Sequence, residues 1–171
     1  LNRALALTAE VADALDGERA GDPRRFRDRC EQLAVVVAAE EPAETIARFE
    51  ALPQIVALVE REERRAVGVT VEGVAVELLV PPPEAAGAAL VRATGSAEYV
   101  AALEPLPDAA SELEVYERLG VPWCPPELRE QPFRGEPPPL VELADLRGDL
   151  HCHTTWSDGR GTVEEMGRTA Q

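Results

Sequence analysis

"AVGVTVEGVAVELLV", residues 66–80, decides the fold. Apolar residues recur at every second position on both sides of Glu72-Gly73. That period predicts two antiparallel strands joined by a tight turn, with Val69 and Val76 among the buried residues. Working outward, "QLAVVVAA" (32–39) is a short, continuous, valine-rich run and predicts a buried strand. "PAETIARFEAL" (42–52) opens with Pro42 and sets Ile46, Phe49 and Leu52 on one helical face. "LNRALALTAEVADAL" (1–15) reads as a helix ending near Gly17, "PEAAGAALVRAT" (83–94) as another, and "SELEVYERLG" (111–120) as a third closed by Gly120. The class is α+β, a small sheet over residues 30–80 flanked by helices.

From Val121 to Pro139 the chain changes character. "VPWCPPELREQPFRGEPPP" is dense in proline and aperiodic, which predicts an extended linker at a domain boundary. Beyond it, "ADLRGDLHCHTTWSDG" (144–159) reads as strand then loop, and Thr162 with Glu165 makes a capping box that starts a helix. The expected order is a sheet-containing region over 1–95, a helical region over 96–120, a linker over 121–146 and the beginning of a second domain over 147–171.

Composition narrows the function classes. The net charge is -15, and all 17 basic residues are arginine. Nucleic-acid binders present a basic face, because phosphate neutralisation supplies much of their affinity. Here only Arg24-Arg25-Arg27-Arg29 and Arg61-Arg64-Arg65 cluster, and the second alternates with Glu60, Glu62 and Glu63, so it reads as self-paired. The first is the less compensated. No run is long enough to span a membrane, and no signal-peptide pattern is present, so a soluble, cytoplasmic protein is expected. Cys30, Cys124 and Cys152 are too few and scattered for a disulfide framework. A first residue other than Met, and a last helix without a stop signal, predict a fragment of a longer protein. Its oligomeric state stays open.

"GDLHCHTTWSDG" (148–159) carries the clearest chemistry. On a strand, His151 and His153 point to one face and could deliver two imidazoles to one cation, while Cys152 faces the other way into a core. Asp158 could add an oxygen. Mixed nitrogen and oxygen ligation suits Zn, Mn or Fe, ions that generate hydroxide for phosphoester hydrolysis. The competing reading is a chance pair of surface histidines. A working site needs more donors, and the chain has no other histidine.

"GDLHCHTTWSDGRGTVEEM" resembles the first motif of the PHP (polymerase and histidinol phosphatase) superfamily, metal-dependent phosphoesterases on a distorted (β/α)7 barrel. "VYERLGVPWCPPELRE" resembles the linker that joins a polymerase core to a PHP domain in bacterial family X DNA polymerases. "GVAVELLVPPPEAAGAALVRATGS" resembles their palm strand and thumb motif, and "GDPRRFRDRCEQLAVVV" matches the segment with their Gly-Ser, arginine pair and catalytic Asp-x-Asp. The resemblance implies a nucleotidyltransferase-like palm, an incomplete thumb, a linker and the first strand, loop and helix of a PHP barrel. It also implies DNA as partner, Mg at the polymerase site, and Zn or Mn on His151, His153 and Asp158.

The departures from the family are at the chemistry. The three Mg-binding carboxylates fall on Gln32, Ala34 and Glu77; an amide and a methyl are no substitute for oxygen anions in an octahedral shell. The phosphate-cradling Gly-Ser becomes Gly21-Asp22, with Arg25 kept as a triphosphate contact. The aromatic pair that packs on the incoming sugar becomes Arg92-Ala93, and a thumb segment is missing between Ser96 and Ser111. Three readings follow. The chain is part of a family X polymerase and 3'-5' exonuclease of DNA repair, with metal-dependent phosphoesterase chemistry surviving its polymerase site. Or it is a non-catalytic nucleotidyltransferase-like scaffold on a PHP phosphatase. Or it is a PHP phosphatase with an unrelated leader, which the linker resemblance disfavours.

Overall fold

The computed structural model describes residues 1–132, 135–148 and 151–169. Two compact units divide the chain, Leu1–Pro137 and Pro138–Gln171.

The first unit is built on a five-stranded mixed sheet. In chain order the strands are β1 (Glu18–Gly21), β2 (Leu33–Val36), β3 (Ala57–Arg61), β4 (Arg65–Val69) and β5 (Ala75–Leu79), arranged β1-β2-β5-β4-β3. The expected hairpin is β4–β5, antiparallel, with Gly73 at φ 75° in its turn. Val76 is fully buried as expected; Val69 is only half-buried, a correction. Val69 lies beside Ala57 of β3, the strand at the edge of the sheet.

The helices explain the sheet's two faces. Helices α1 (Asn2–Leu15) and α2 (Pro42–Glu50) bring Val11, Leu15, Ile46 and Phe49 onto one face. There they meet Val35, Val37, Ala66, Val76, Leu78 and Val80 in the main core. Each such fully buried side chain contributes roughly 1.5–3 kcal/mol relative to exposure. Gly68 is required in this layer: a Cβ there would lie 2.8 Å from the Ile55 side chain and 2.9 Å from the Phe49 ring.

The opposite face is covered over β1 and β2 by α3 (Ala86–Thr94). Ala93 packs with Ala20, Ala34 and Val36, and Ala89 and Leu90 close the layer. The other side of α3, through Ala88 and Val91, joins α4 (Ala97–Leu103) and α5 (Glu112–Leu119) in a second core with Tyr99, Val115, Tyr116 and Cys124. Residues 121–132 pack into this unit, with Cys124 and Arg129 buried. Helix α5 ends as the sequence predicts, at Gly120 with φ 69°. Strands β1 and β3 and helix α4 are not foreseen by the sequence patterns.

In the second unit the described residues form a 3-10 turn at Leu143–Asp145 and the helix α6 (Val163–Thr169). The capping box is present: the Thr162 amide donates to Glu165 at 2.8 Å and the Glu165 amide to the Thr162 hydroxyl at 3.1 Å. The expected strand is absent from the described residues of 144–154, which include no partner strand in this unit. Asp149 and Leu150, in the middle of that stretch, lie outside the described residues. Cys152 is exposed, not buried as expected. Among the described residues no helix is long and apolar enough to cross a membrane.

Candidate functional site

Strands β2 and β5 run parallel and place Ala34 directly beside Glu77, two of the three positions at which the resemblance implies metal carboxylates. The pairing brings the backbones together, but the side chains supply no Mg site. Ala34 is fully buried in the alanine layer beneath α3. Gln32 is exposed just before β2. Glu77 accepts from Arg65 Nε at 2.5 Å, a cross-strand partner from β4 that also binds Glu60 at 2.5 Å. Its hydrogen bonds to the Glu60 and Glu77 carboxylates push the Arg65 guanidinium's pKa upward, so it stays charged and holds Glu77. One engaged carboxylate, a methyl and an exposed amide do not fit two hard cations.

The Gly21-Asp22 loop is the second position. Gly21 has φ 75°, and a Cβ there would lie 2.3 Å from the Gln32 carbonyl, so only glycine fits. Asp22 is 3% exposed. It accepts the backbone N–H of Glu31 at 2.7 Å and of Gln32 at 2.9 Å, and Arg25 Nη2 at 2.5 Å. Arg25, the expected triphosphate contact, is 6% exposed. It further donates to Glu130 at 2.8 Å and to the Thr94 carbonyl, so its donors point into the protein.

Arg24 makes a two-pronged pair with Glu112, at 2.7 and 2.8 Å, and Arg129 reaches the same carboxylate at 2.5 Å. Burial pushes Glu112's pKa up, but hydrogen bonds and charge from Arg24 and Arg129 outweigh it, leaving the carboxyl below its ordinary value. Arg129 is fully buried, with its guanidinium carbon 5.4 Å from the Tyr116 ring centroid, a cation–π contact. The arginine cluster that the sequence leaves least compensated is therefore largely spent on internal acids. Arg27 adds pairs to Asp22 at 3.7 Å and Glu130 at 3.5 Å. No local pattern announces these partners. The Arg65–Glu77 pair was legible in principle, because hairpin register sets the two diagonally on one face.

In the second unit His151, His153 and Asp158 do come together. The two imidazoles stack at 4.8 Å with Nε2 atoms 2.7 Å apart. His153 Nδ1 lies 2.5 Å from Asp158 Oδ1 and 3.4 Å from the Ser157 hydroxyl. Two imidazole ligands on one tetrahedral Zn would hold their nitrogens about 3.3 Å apart. The facing nitrogens are closer than that, at hydrogen-bonding distance from each other, while Asp158 engages the opposite side of the His153 ring. A carboxylate so placed orients an imidazole. The three groups form a chain and not a converging set, and among the described residues no group of three His, Cys, Asp or Glu is placed to hold a metal ion.

The cysteines offer no alternative centre. All three are free, and burial raises the thiol pKa of Cys30 and Cys124, the inert state.

No protein-family model matches the chain. In an alignment 175 positions long that takes in 86% of this chain, it is 28% identical to "DNA polymerase/3'-5' exonuclease PolX" of Bacillus subtilis (strain 168). The chain spans about a third of that relative's length, 31%. It is thus a distant homologue of that protein, aligned with only part of it.

Proposed function

We propose that this chain is the palm-like, thumb-like and linker portion, with the opening of a PHP-type module, of a DNA-repair protein related to family X polymerases. In it the nucleotidyltransferase-like fold is a scaffold that no longer extends a primer. The observation that carries this reading is the register Ala34 to Glu77: the methyl is sealed beneath α3 and the carboxylate is held by Arg65. Phosphoryl transfer by this class depends on metals that position the nucleophile and neutralise charge, and these side chains do not fit them. The similarity to a named polymerase supports the ancestry, and the engaged side chains support the loss.

For the whole protein, the reaction class that remains is metal-dependent phosphoester hydrolysis, with His151, His153 and Asp158 as part of the donor set for Zn or Mn. DNA is the substrate class to which the relative's name points. The three donors as arranged form no converging set, so nothing finer than that class follows from them.

Primer extension tests the first claim. The chain, given a primed template, all four deoxynucleoside triphosphates and Mg or Mn, is expected to add no nucleotide. Extension that is lost in Glu77→Ala would show that Glu77 does bind metal and that the scaffold reading is wrong.

A further inference from the structure

A groove of about 790 Å³ lies between α1, the β4–β5 turn and the segment after α2, within the roughly 300–1,000 Å³ range of small-molecule sites. Its lining includes none of the positions discussed above as metal or nucleotide contacts. Ala4, Leu7 and Val74, each partly buried, pack on the main core beside Leu33 and make its apolar wall. Two of its polar residues meet there: Gln54 Nε2 donates to the exposed Glu10 carboxylate at 3.1 Å. That bond fixes which end of the amide is oxygen, and Gln54 Oε1 is buried with no donor among the described residues. A buried acceptor without a donor is costly. Nor does a cation meet Glu10. Arg3, in the same lining, is taken by Glu72, and the Leu1 amine donates to the Asp28 carbonyl at 3.4 Å.

We propose that this groove binds a protonated aliphatic amine, with its hydrocarbon chain on Ala4, Leu7, Leu33 and Val74 and its ammonium on Glu10 and Gln54. An ammonium carries three donors and a charge, which suits one carboxylate and one amide oxygen side by side. The Gln54 side chain is partly exposed in the lining, so a small rotation brings its oxygen to a donor held at Glu10. A carboxylic acid of the same length would meet Glu10 as a like charge, and the net charge of -15 further favours a cation. The exposed Arg3–Glu72 pair contributes little to stability and gives way to an incoming chain. The inference stands on this groove alone and does not rest on the scaffold reading above.

The test titrates the 171-residue chain with hexylammonium chloride and, separately, sodium hexanoate at neutral pH and fixed ionic strength, followed by calorimetry and methyl NMR. Hexylammonium is expected to bind saturably and to shift the methyl resonances of Leu7, Leu33 and Val74; hexanoate is expected not to bind. Glu10→Gln, at an exposed position, is expected to weaken hexylammonium binding roughly tenfold. Glu44→Gln makes the same change of charge on α2, outside the groove lining, and is expected to leave the affinity unchanged. Equal losses in the two variants would show attraction to net charge alone and overturn the inference. So would an unchanged affinity in Glu10→Gln, or hexanoate binding as tight as hexylammonium. Shifts confined to methyl groups outside the groove, or no saturable binding of hexylammonium, also overturn it.

Discussion

Glu112 lies between two guanidiniums, Arg24 on a loop 88 residues earlier and Arg129 17 residues later. Arg129 has no exposed surface, so losing its carboxylate leaves an uncompensated buried charge. Breaking such a pair from one side costs about 3–5 kcal/mol, a large part of the total stability of a domain. Glu112→Gln is therefore expected to lower the urea midpoint sharply at neutral pH. The pH dependence has a definite sign. The folded pKa of Glu112 lies below its unfolded value, so the ionic contribution is fully present above the ordinary glutamate range, near about 4.3. As pH falls below that range the unfolded chain takes up its proton first, and the contribution is lost as pH passes through the depressed folded value. The gap between wild type and Glu112→Gln should narrow over that acid window. A gap that stays constant from neutral pH into acid would show that shape, not ionisation, sets it. None of this was legible in sequence: Arg24 and Arg25 belong to the less compensated of the two arginine clusters in the sequence, because their partners Glu112 and Glu130 lie far along the chain.

At the scale of elements, legibility followed period. The β4–β5 hairpin alternates cleanly and was read, as was β2, which is buried at all four positions. Strand β1 is four residues, two exposed charges followed by Ala20 and Gly21, and exists because β2 pairs with it. Strand β3 loses its alternation to a register shift between Leu58 and Glu60. Helix α4 is only seven residues, fixed by Ser96 accepting the Tyr99 amide at 3.1 Å. It lies in the interval read as lacking a thumb segment. The strand expected before His151 had the right composition but has no neighbouring strand among the described residues of its unit, and a lone strand leaves its backbone unpaired. Gly68 tests how tightly the sheet and α2 are fitted. Gly68→Val should overpack the layer against Phe49 and Ile55 and destabilise the chain by about 1–3 kcal/mol. Urea denaturation should show a lower midpoint with an unchanged slope; an unchanged midpoint would mean the layer relaxes freely.

At the scale of the whole molecule, charge and donor supply set the limits. A net charge of -15, with Arg24, Arg25 and Arg27 turned to internal acids, leaves little of the basic footprint that phosphate contacts need. Metal donors are as scarce. The chain has two histidines, and in the structure their facing nitrogens are occupied with each other while Asp158 takes the far side of one ring. Closing these groups on a cation would require turning a ring and giving up those hydrogen bonds, and two imidazoles with one exposed carboxylate return less than a preformed four-donor site. Sites of the latter kind bind Zn at about 50 nM or tighter. The 171-residue chain is expected to bind Zn far more weakly than that, with His153→Ala changing the isotherm little on that scale. Calorimetric titration with Zn decides it. Uptake of one equivalent in the nanomolar range, lost in His153→Ala, would show that the histidine pair reorganises into a complete centre using donors already in this chain.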